Sequence, residues 1–313
     1  VAILLNKRIT KMTINLPTTY NIFGITIGVQ GIFFVLAYLT ALIVTMIRAK
    51  RRNLDTDFIL GILINAIIFG ILGAKLLYII AVARTMYLFN FFSYLLKPYG
   101  FVAYGGIILG ILSNLIWCFI KKKDFYTYFD IVMPSVAAAQ AVGRMGCLCN
   151  GCCYGYAETT WHWYNIMYTQ SKELYNFIPY IPVQLISAIG DLLICIILII
   201  ASNKIKTKGY IATLYMILYG VGRFFVEFLR ADKRGNVGPL STSQFISIII
   251  VIIAIIQFIY CKNRDKIKEY IRLKIEHHKE EIDSLKKARE LQKRRELRQQ
   301  QKRRRKNGKK KRA

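Results

Sequence analysis

The chain has 313 residues, of which 55% are hydrophobic, and a mean hydropathy of +0.36. That balance excludes an ordinary soluble domain and points to an integral membrane protein. The formal charge of +28 is unevenly placed, with about half of the Lys and Arg residues after residue 261, so a very apolar body carries a very basic tail.

Residues 1–21 read as an extracytoplasmic N-terminal segment. Its VAILLNK start is too short for a signal-peptide core and no small-residue cleavage site follows, so the first spanning segment is expected to serve as the membrane signal. A helix needs about 20 apolar residues to cross the hydrocarbon core. Runs meeting or approaching that length occupy 22–47, 58–83, 101–120, 125–143, 181–201, 209–229 and 243–261. The fourth is the weakest, carrying Asp130, Pro134 and Gln140. With it included, the basic stretches RAKRR (48–52), KKK (121–123), KIKTK (204–208) and the tail all fall on one side, which the positive-inside rule makes cytoplasmic. The expected fold is an all-α polytopic membrane protein with seven transmembrane helices in residues 22–261, N-terminus outside and C-terminus cytoplasmic. Loops 84–100, 144–180 and 230–240 then face outward.

The tail, 262–313, places Ile267, Ile271, Ile275, Ile282 and Leu285 at loosely helical spacing. It ends in QQQKRRRKNGKKKRA, which is too charged to pack and reads as disordered. Its expected partners are anionic inner-leaflet lipids, at about 1 kcal/mol per basic residue near the surface. Nucleic-acid contact is not demanded by such a tail.

Charged groups inside apolar spans are costly, and each is a functional-site hypothesis. Arg144 and Asn150 lie in AVGRMGCLCNGCCYG (141–155), and Tyr219, Arg223, Glu227 and Arg230 in LYGVGRFFVEFLR (218–230). A guanidinium forks onto phosphate oxygens and an amide adds a hydrogen bond, so a lipid headgroup site is one reading. An arginine snorkelling to the interface is the rival for Arg144, and a structural i,i+4 ion pair is the rival for Arg223 and Glu227. In the expected topology Arg144 follows the outer end of span four and Arg223 to Arg230 close the outer end of span six. Tyr104 and the pair Gly105–Gly106 open span three at the same face. Such glycines are tolerated where backbones or a ligand approach closely.

Cys118, Cys195 and Cys261 lie in apolar runs and read as small buried hydrophobes. Cys147, Cys149, Cys152 and Cys153 admit three readings. Zinc thiolates do not match the usual paired C-x₂₋₄-C spacing. A redox-active disulfide suits an oxidising compartment. Structural disulfides that pin the loop are the preferred reading, with connectivity undetermined. His277 and His278 are in the tail, and His162 sits in the aromatic stretch TWHWYN, better read as an interface belt than as a base.

In this order, the motifs resemble those of the bacterial prolipoprotein diacylglyceryl transferase family across residues 22–261. The resemblance rests on GFVAYGGIILG (100–110), GRMGCLCNGCCYG (143–155), YGVGRFFVEFLR (219–230) and LSTSQFIS (240–247), with weaker echoes in FGILGAKLLYII (69–80) and PVQL (182–185). It implies a seven-span bacterial plasma-membrane enzyme that moves the diacylglyceryl group of phosphatidylglycerol onto the lipobox cysteine of prolipoproteins. It further implies that Arg144 and Arg223 hold phosphatidylglycerol, that Asn150, Gly155, Gly105 and Gly106 line the substrate, and that Tyr104, Tyr219 and Glu227 join the two arginines in catalysis. No cofactor and no metal is expected. The chain departs from the family pattern in having Tyr104 and Ile181 where histidine is usual, Lys75 where arginine is usual, and Cys147 and Cys152 in the signature. A membrane thiol–disulfide protein built on the cysteine cluster is the alternative, and a transporter is disfavoured by the lack of an internal repeat.

Overall fold

The computed structural model describes residues 12–14, 19–22, 25–83, 100–168, 178–232 and 235–310. Most of the expected loop 84–100 and part of the loop 144–180 lie outside the described residues, as does most of the N-terminal segment. The main helices are α1 (Val29–Arg51), α2 (Thr56–Ala83), α3 (Ala103–Ile120), α4 (Phe125–Cys149), α5 (Val183–Lys204), α6 (Tyr210–Val226) and α7 (Thr242–Lys310). A 3-10 turn, Glu227–Leu229, extends α6. Among the described residues, seven helical segments are long and apolar enough to cross a membrane, ending with Tyr210–Leu229 and Thr242–Arg264. The seven expected spans are therefore present, as an all-α bundle.

Two boundaries differ from expectation. The first helix begins at Val29 rather than 22, because Thr19–Ile22 (β2) pairs antiparallel with Ile25–Gly28 (β3) as a short hairpin. The fourth helix runs to Cys149 rather than ending at 143, so Arg144 lies inside the helix and not beyond it. Further short strands are Met12–Ile14 (β1), paired in parallel with Ile166–Tyr168 (β4), and the hairpin Asn236–Val237 (β5) with Leu240–Ser241 (β6). All flank the same ends of the helices, opposite the ends that carry Arg48, Lys121 and Lys204.

The helix of lowest hydropathy is the central one. α4 packs against α1, α5 and α6, and each polar residue that weakens it as a span has a partner. Asp130 accepts from the backbone N–H of Gly209 (2.6 Å) and Ala212 (2.9 Å), closing the N-terminus of α6 where unpaired N–H groups and the helix dipole favour a carboxylate. Thr45 donates to Ser135 at 2.7 Å, and Tyr215 donates to Gln140 at 2.8 Å. Apolar packing fills the gaps: Met133, Ala137 and Ala138 meet Cys195, Leu198, Ile211 and Ala212, while Ile131 and Tyr128 meet Phe58, Ile59 and Cys118. Outward faces are large and apolar. Phe119, for example, is 84% exposed, which suits hydrocarbon and not water.

The helices α2 and α3 touch through glycine. A Cβ on Gly105 would strike the Gly73 carbonyl oxygen, and one on Gly106 would come within 2.6 Å of the Gly70 carbonyl oxygen. This is the small-residue contact that lets membrane helices approach closely. Gly105→Val is expected to force α2 and α3 apart, at the 1–3 kcal/mol typical of overpacking. Thermal unfolding in detergent checks this, and an unchanged midpoint would count against the contact.

The chain divides into Val1–Phe258 and a second unit, Ile259–Ala313. That second unit is helical through Lys310, including the stretch from 299 that the sequence leads one to expect disordered. Its Ile271, Ile275, Ile282 and Leu285 are exposed and build no core.

Candidate active site

Three of the residues singled out from sequence meet in one cleft. Arg144 from α4, Tyr219, Gly222 and Arg223 from α6, and Ser187, Gly190, Asp191 and Ile194 from α5 line a cavity of ≈ 60 Å³. The geometry follows from helical spacing: Tyr219 and Arg223 are four residues apart and share a face. The small Gly190 and Gly222 leave the room. Arg144 makes no hydrogen bond or ion pair with a described residue, although it lies close enough to Asp191 and Tyr219 to interact electrostatically.

Arg223 is oriented from behind. Its Nη2 lies 2.7 Å from Glu227 Oε2, an ion pair by distance although not aligned as a hydrogen bond, and also donates to Ser243 Oγ at 3.0 Å. Ser241 Oγ donates to the other carboxylate oxygen, Glu227 Oε1, at 3.1 Å. The LSTSQ segment thus serves to hold the Arg223–Glu227 pair. Gln244 Oε1 in turn accepts from the Ser241 N–H at 3.0 Å. Nη1 of Arg223 stays buried with no partner.

Asp191 was not singled out by the sequence reading, although a lone carboxylate in the apolar run 181–201 is the same signal that marked the arginines. It is buried, lies within electrostatic reach of both Arg144 and Arg223, and its Oδ2 has no hydrogen-bond partner.

The remaining expected site residues sit elsewhere. Asn150 caps the C-terminus of α4 and donates from Nδ2 to Gln30 Oε1 at 3.3 Å, tying that helix to α1. Gly155 donates to the Ile181 carbonyl at 3.1 Å and pairs with Arg230 across a β-bridge, and a Cβ there would lie 2.7 Å from both Ile181 O and Val183 Cγ2. Close backbone approach, rather than contact with the cleft, accounts for that glycine. Gly105 serves the α2–α3 contact. Gly106 does so too and also lines a second cavity of ≈ 360 Å³, almost wholly apolar, between α2, α3, α4, α6 and α7. Tyr219 lines both cavities, so the arginine cleft and the apolar cavity share a wall. Tyr104, in the first turn of α3, is exposed and lines neither. Lys75 is buried with its Nζ 4.4 Å from the Phe101 ring centroid. His162 is exposed and stacks on Tyr164, in keeping with an interfacial role.

No disulfide joins any of the seven cysteines in this structure, where structural disulfides in the cluster were the expectation. Cys147, Cys152 and Cys153 nevertheless come together, their sulfurs within 4.8 Å of one another, while Cys149 stays apart. Hydrogen bonds from Cys147 and Cys152, aided by the Arg230 guanidinium, hold the Cys153 thiol well below the ordinary cysteine range. Arg230 itself is clamped by Asp232 through two bonds of 2.8 Å.

The profile of the family described as prolipoprotein diacylglyceryl transferase matches residues 17–260. A Clostridium tetani protein named phosphatidylglycerol–prolipoprotein diacylglyceryl transferase is 43% identical over 244 residues, covering 77% of this chain and 96% of the relative. A Clostridium perfringens protein of the same name, numbered 2, is 41% identical over 233 residues, 74% of this chain and 90% of the relative. One from Finegoldia magna is 34% identical over 244 residues, 76% of this chain and 92% of the relative. The profile covers the helical body from just before α1 to Tyr260 and leaves out the basic tail. That helical body, which holds the arginine cleft, belongs to the prolipoprotein diacylglyceryl transferase family.

Proposed function

We propose that this protein transfers the diacylglyceryl group of phosphatidylglycerol to the cysteine thiol of a prolipoprotein lipobox, in a bacterial plasma membrane. The observation that carries this reading is the pairing of two guanidinium groups in one cleft, each with donors to spare, beside an apolar cavity. Arg144 has no bonded partner among the described residues, and Nη1 of Arg223 is an orphan donor. A phosphodiester supplies the acceptor oxygens that both lack. The apolar cavity at Tyr219 offers acyl chains a place beside the headgroup, at a volume within the range of ligand pockets, about 300–1,000 Å³.

In this reaction the acceptor thiolate attacks the glyceryl carbon, the carbon–oxygen bond to phosphate breaks, and its electron pair stays on the departing glycerol phosphate. Negative charge grows on phosphate oxygens, where preorganised guanidinium donors in a dry site lower the barrier. Glu227, Ser241 and Ser243 keep Arg223 aimed. Tyr104 is poorly placed to take the thiol proton, whereas Asp191, whose Oδ2 has no hydrogen-bond partner, lines the same cleft as both arginines. We therefore assign the base to Asp191. Asp191→Asn is expected to lower kcat by about 10²–10⁴-fold, the usual worth of a positioned base, with a smaller change in KM. Equal loss in kcat and binding would speak against that role.

Placing RAKRR, KKK and KIKTK in the cytoplasm puts the arginine cleft toward the outer leaflet, with the C-terminal tail inside. There the tail's Lys and Arg residues would be drawn to anionic lipid headgroups. The thiol–disulfide alternative rests on the cysteine cluster alone and leaves the arginine cleft without a purpose.

Reconstitution tests the assignment. Purified protein, phosphatidylglycerol and a synthetic lipobox peptide should yield a diacylglyceryl-modified peptide by mass spectrometry, with one glycerol phosphate released per adduct. Folded protein that forms no adduct, or uses phosphatidylethanolamine equally well, would refute it.

A further inference from the structure

We propose that Cys147, Cys152 and Cys153 form a trithiolate site for a soft divalent cation of the zinc class. The spacing C-x₄-C-C is not that of a zinc knuckle, so the sequence does not announce the site; the fold assembles it. Cys147 lies in the last turn of α4. The chain then reverses at Gly151, with φ +64°, and Cys153 takes a left-handed φ of +61°, a conformation that non-glycine residues rarely adopt. The Cys152 N–H donates to the Cys147 carbonyl at 3.2 Å, and Gln184 Nε2 donates to the Cys152 carbonyl at 2.7 Å. These bonds hold the turn so that three sulfurs fall within 4.8 Å of one another. Tetrahedral zinc with Zn–S bonds of about 2.3 Å requires sulfurs about 3.8 Å apart, a spacing reachable by small rotamer changes.

The number of thiols favours a metal over a disulfide. A single disulfide within the trio strands the third sulfur, and Cys149 is not in the group to pair with it. Soft thiolate donors select zinc and similar ions over magnesium or calcium. Charge is also provided for. Three thiolates around a divalent cation carry one net negative charge, and the buried Arg230 bonds the Cys153 sulfur while Arg144, one helical turn before Cys147, lies within electrostatic reach of Cys147 and Cys153. No fourth histidine, cysteine or carboxylate joins the group among the described residues, so the ion would keep one position for an exogenous ligand. A bound ion would lock the end of α4 to the turn after it. It would thereby position Arg144 on one side and Arg230 on the other.

The test uses the full chain purified in detergent without chelator. Elemental analysis should find about one zinc per chain, and cobalt exchange should give thiolate charge-transfer absorption with tetrahedral d–d bands. Cys147→Ser, Cys152→Ser and Cys153→Ser should each lose most of the metal, whereas Cys149→Ser should retain it. In case these variants fold poorly, maleimide labelling of the wild-type protein provides a second readout: a chelator should expose three thiols that are protected before its addition. Absence of metal after zinc or cobalt loading, a disulfide within the trio, or equal metal in Cys149→Ser and Cys153→Ser would overturn the proposal.

Discussion

Arg144→Ala is expected to reduce transferase turnover by about 10²–10³-fold, the usual loss when one preorganised donor to a developing anion is removed. Folding should be spared, because the Arg144 guanidinium bonds no described residue and borders a cavity. This separation makes the variant informative. Kinetics with phosphatidylglycerol and a lipobox peptide, alongside thermal unfolding in detergent, should show activity lost at an unchanged midpoint. Arg144→Lys should recover only part of the rate, since an ammonium cannot fork onto two phosphate oxygens. A destabilised Arg144→Ala protein would instead make the residue structural and remove it from the proposed chemistry.

Glu227→Ala should act in the opposite manner, through stability first. The Arg223, Glu227 and Arg230 side chains are only 11%, 5% and 2% exposed, and Glu227 is the carboxylate that both arginines approach, at 2.7 and 3.8 Å. Removing it leaves two buried cations undercompensated, although Asp232 still holds Arg230. Breaking a buried pair from one side costs about 3–5 kcal/mol. Chemical unfolding should register a loss of that size, with activity falling because Arg223 is no longer aimed. Replacing both members, Arg223→Met with Glu227→Met, should recover most of the stability and none of the activity. Recovery of activity in the double variant would show that the pair is structural only.

Much of this arrangement is legible in the amino-acid order. Hydropathy and basic spacing locate the seven spans, and charge inside apolar runs points to Arg144 and Arg223, which meet in one cleft with Tyr219, and to Glu227, which braces Arg223. What escapes is tertiary. Asp130 and Gln140 look like defects in the fourth span until α4 is seen at the centre of the bundle, with a partner for each. The same helix continues past Arg144, where Gly146 permits close contact with Phe33 of α1: a Cβ there would lie 2.6 Å from Phe33 Cβ. Asn150, Gly155 and Gly105 belong to recognisable motifs, and in the structure each makes a helix or backbone contact and is absent from the cleft lining. Tyr104 is brought to neither cavity. Asp191 obeys the rule that found the arginines, and only its position opposite them reveals its interest. The cysteine trio depends on a reversal at Gly151 that spacing alone does not disclose.

The central claim is that Arg144 and Arg223 together grip a lipid phosphate. Native mass spectrometry of the protein titrated with phosphatidylglycerol measures this most directly, comparing wild type with Arg144→Ala and Arg223→Ala. The account predicts a bound phosphatidylglycerol on the wild type and at least about tenfold weaker binding in each variant, in line with the 1.5–3 kcal/mol of a charged hydrogen bond. Folded variants that retain phosphatidylglycerol as tightly as the wild type would contradict it.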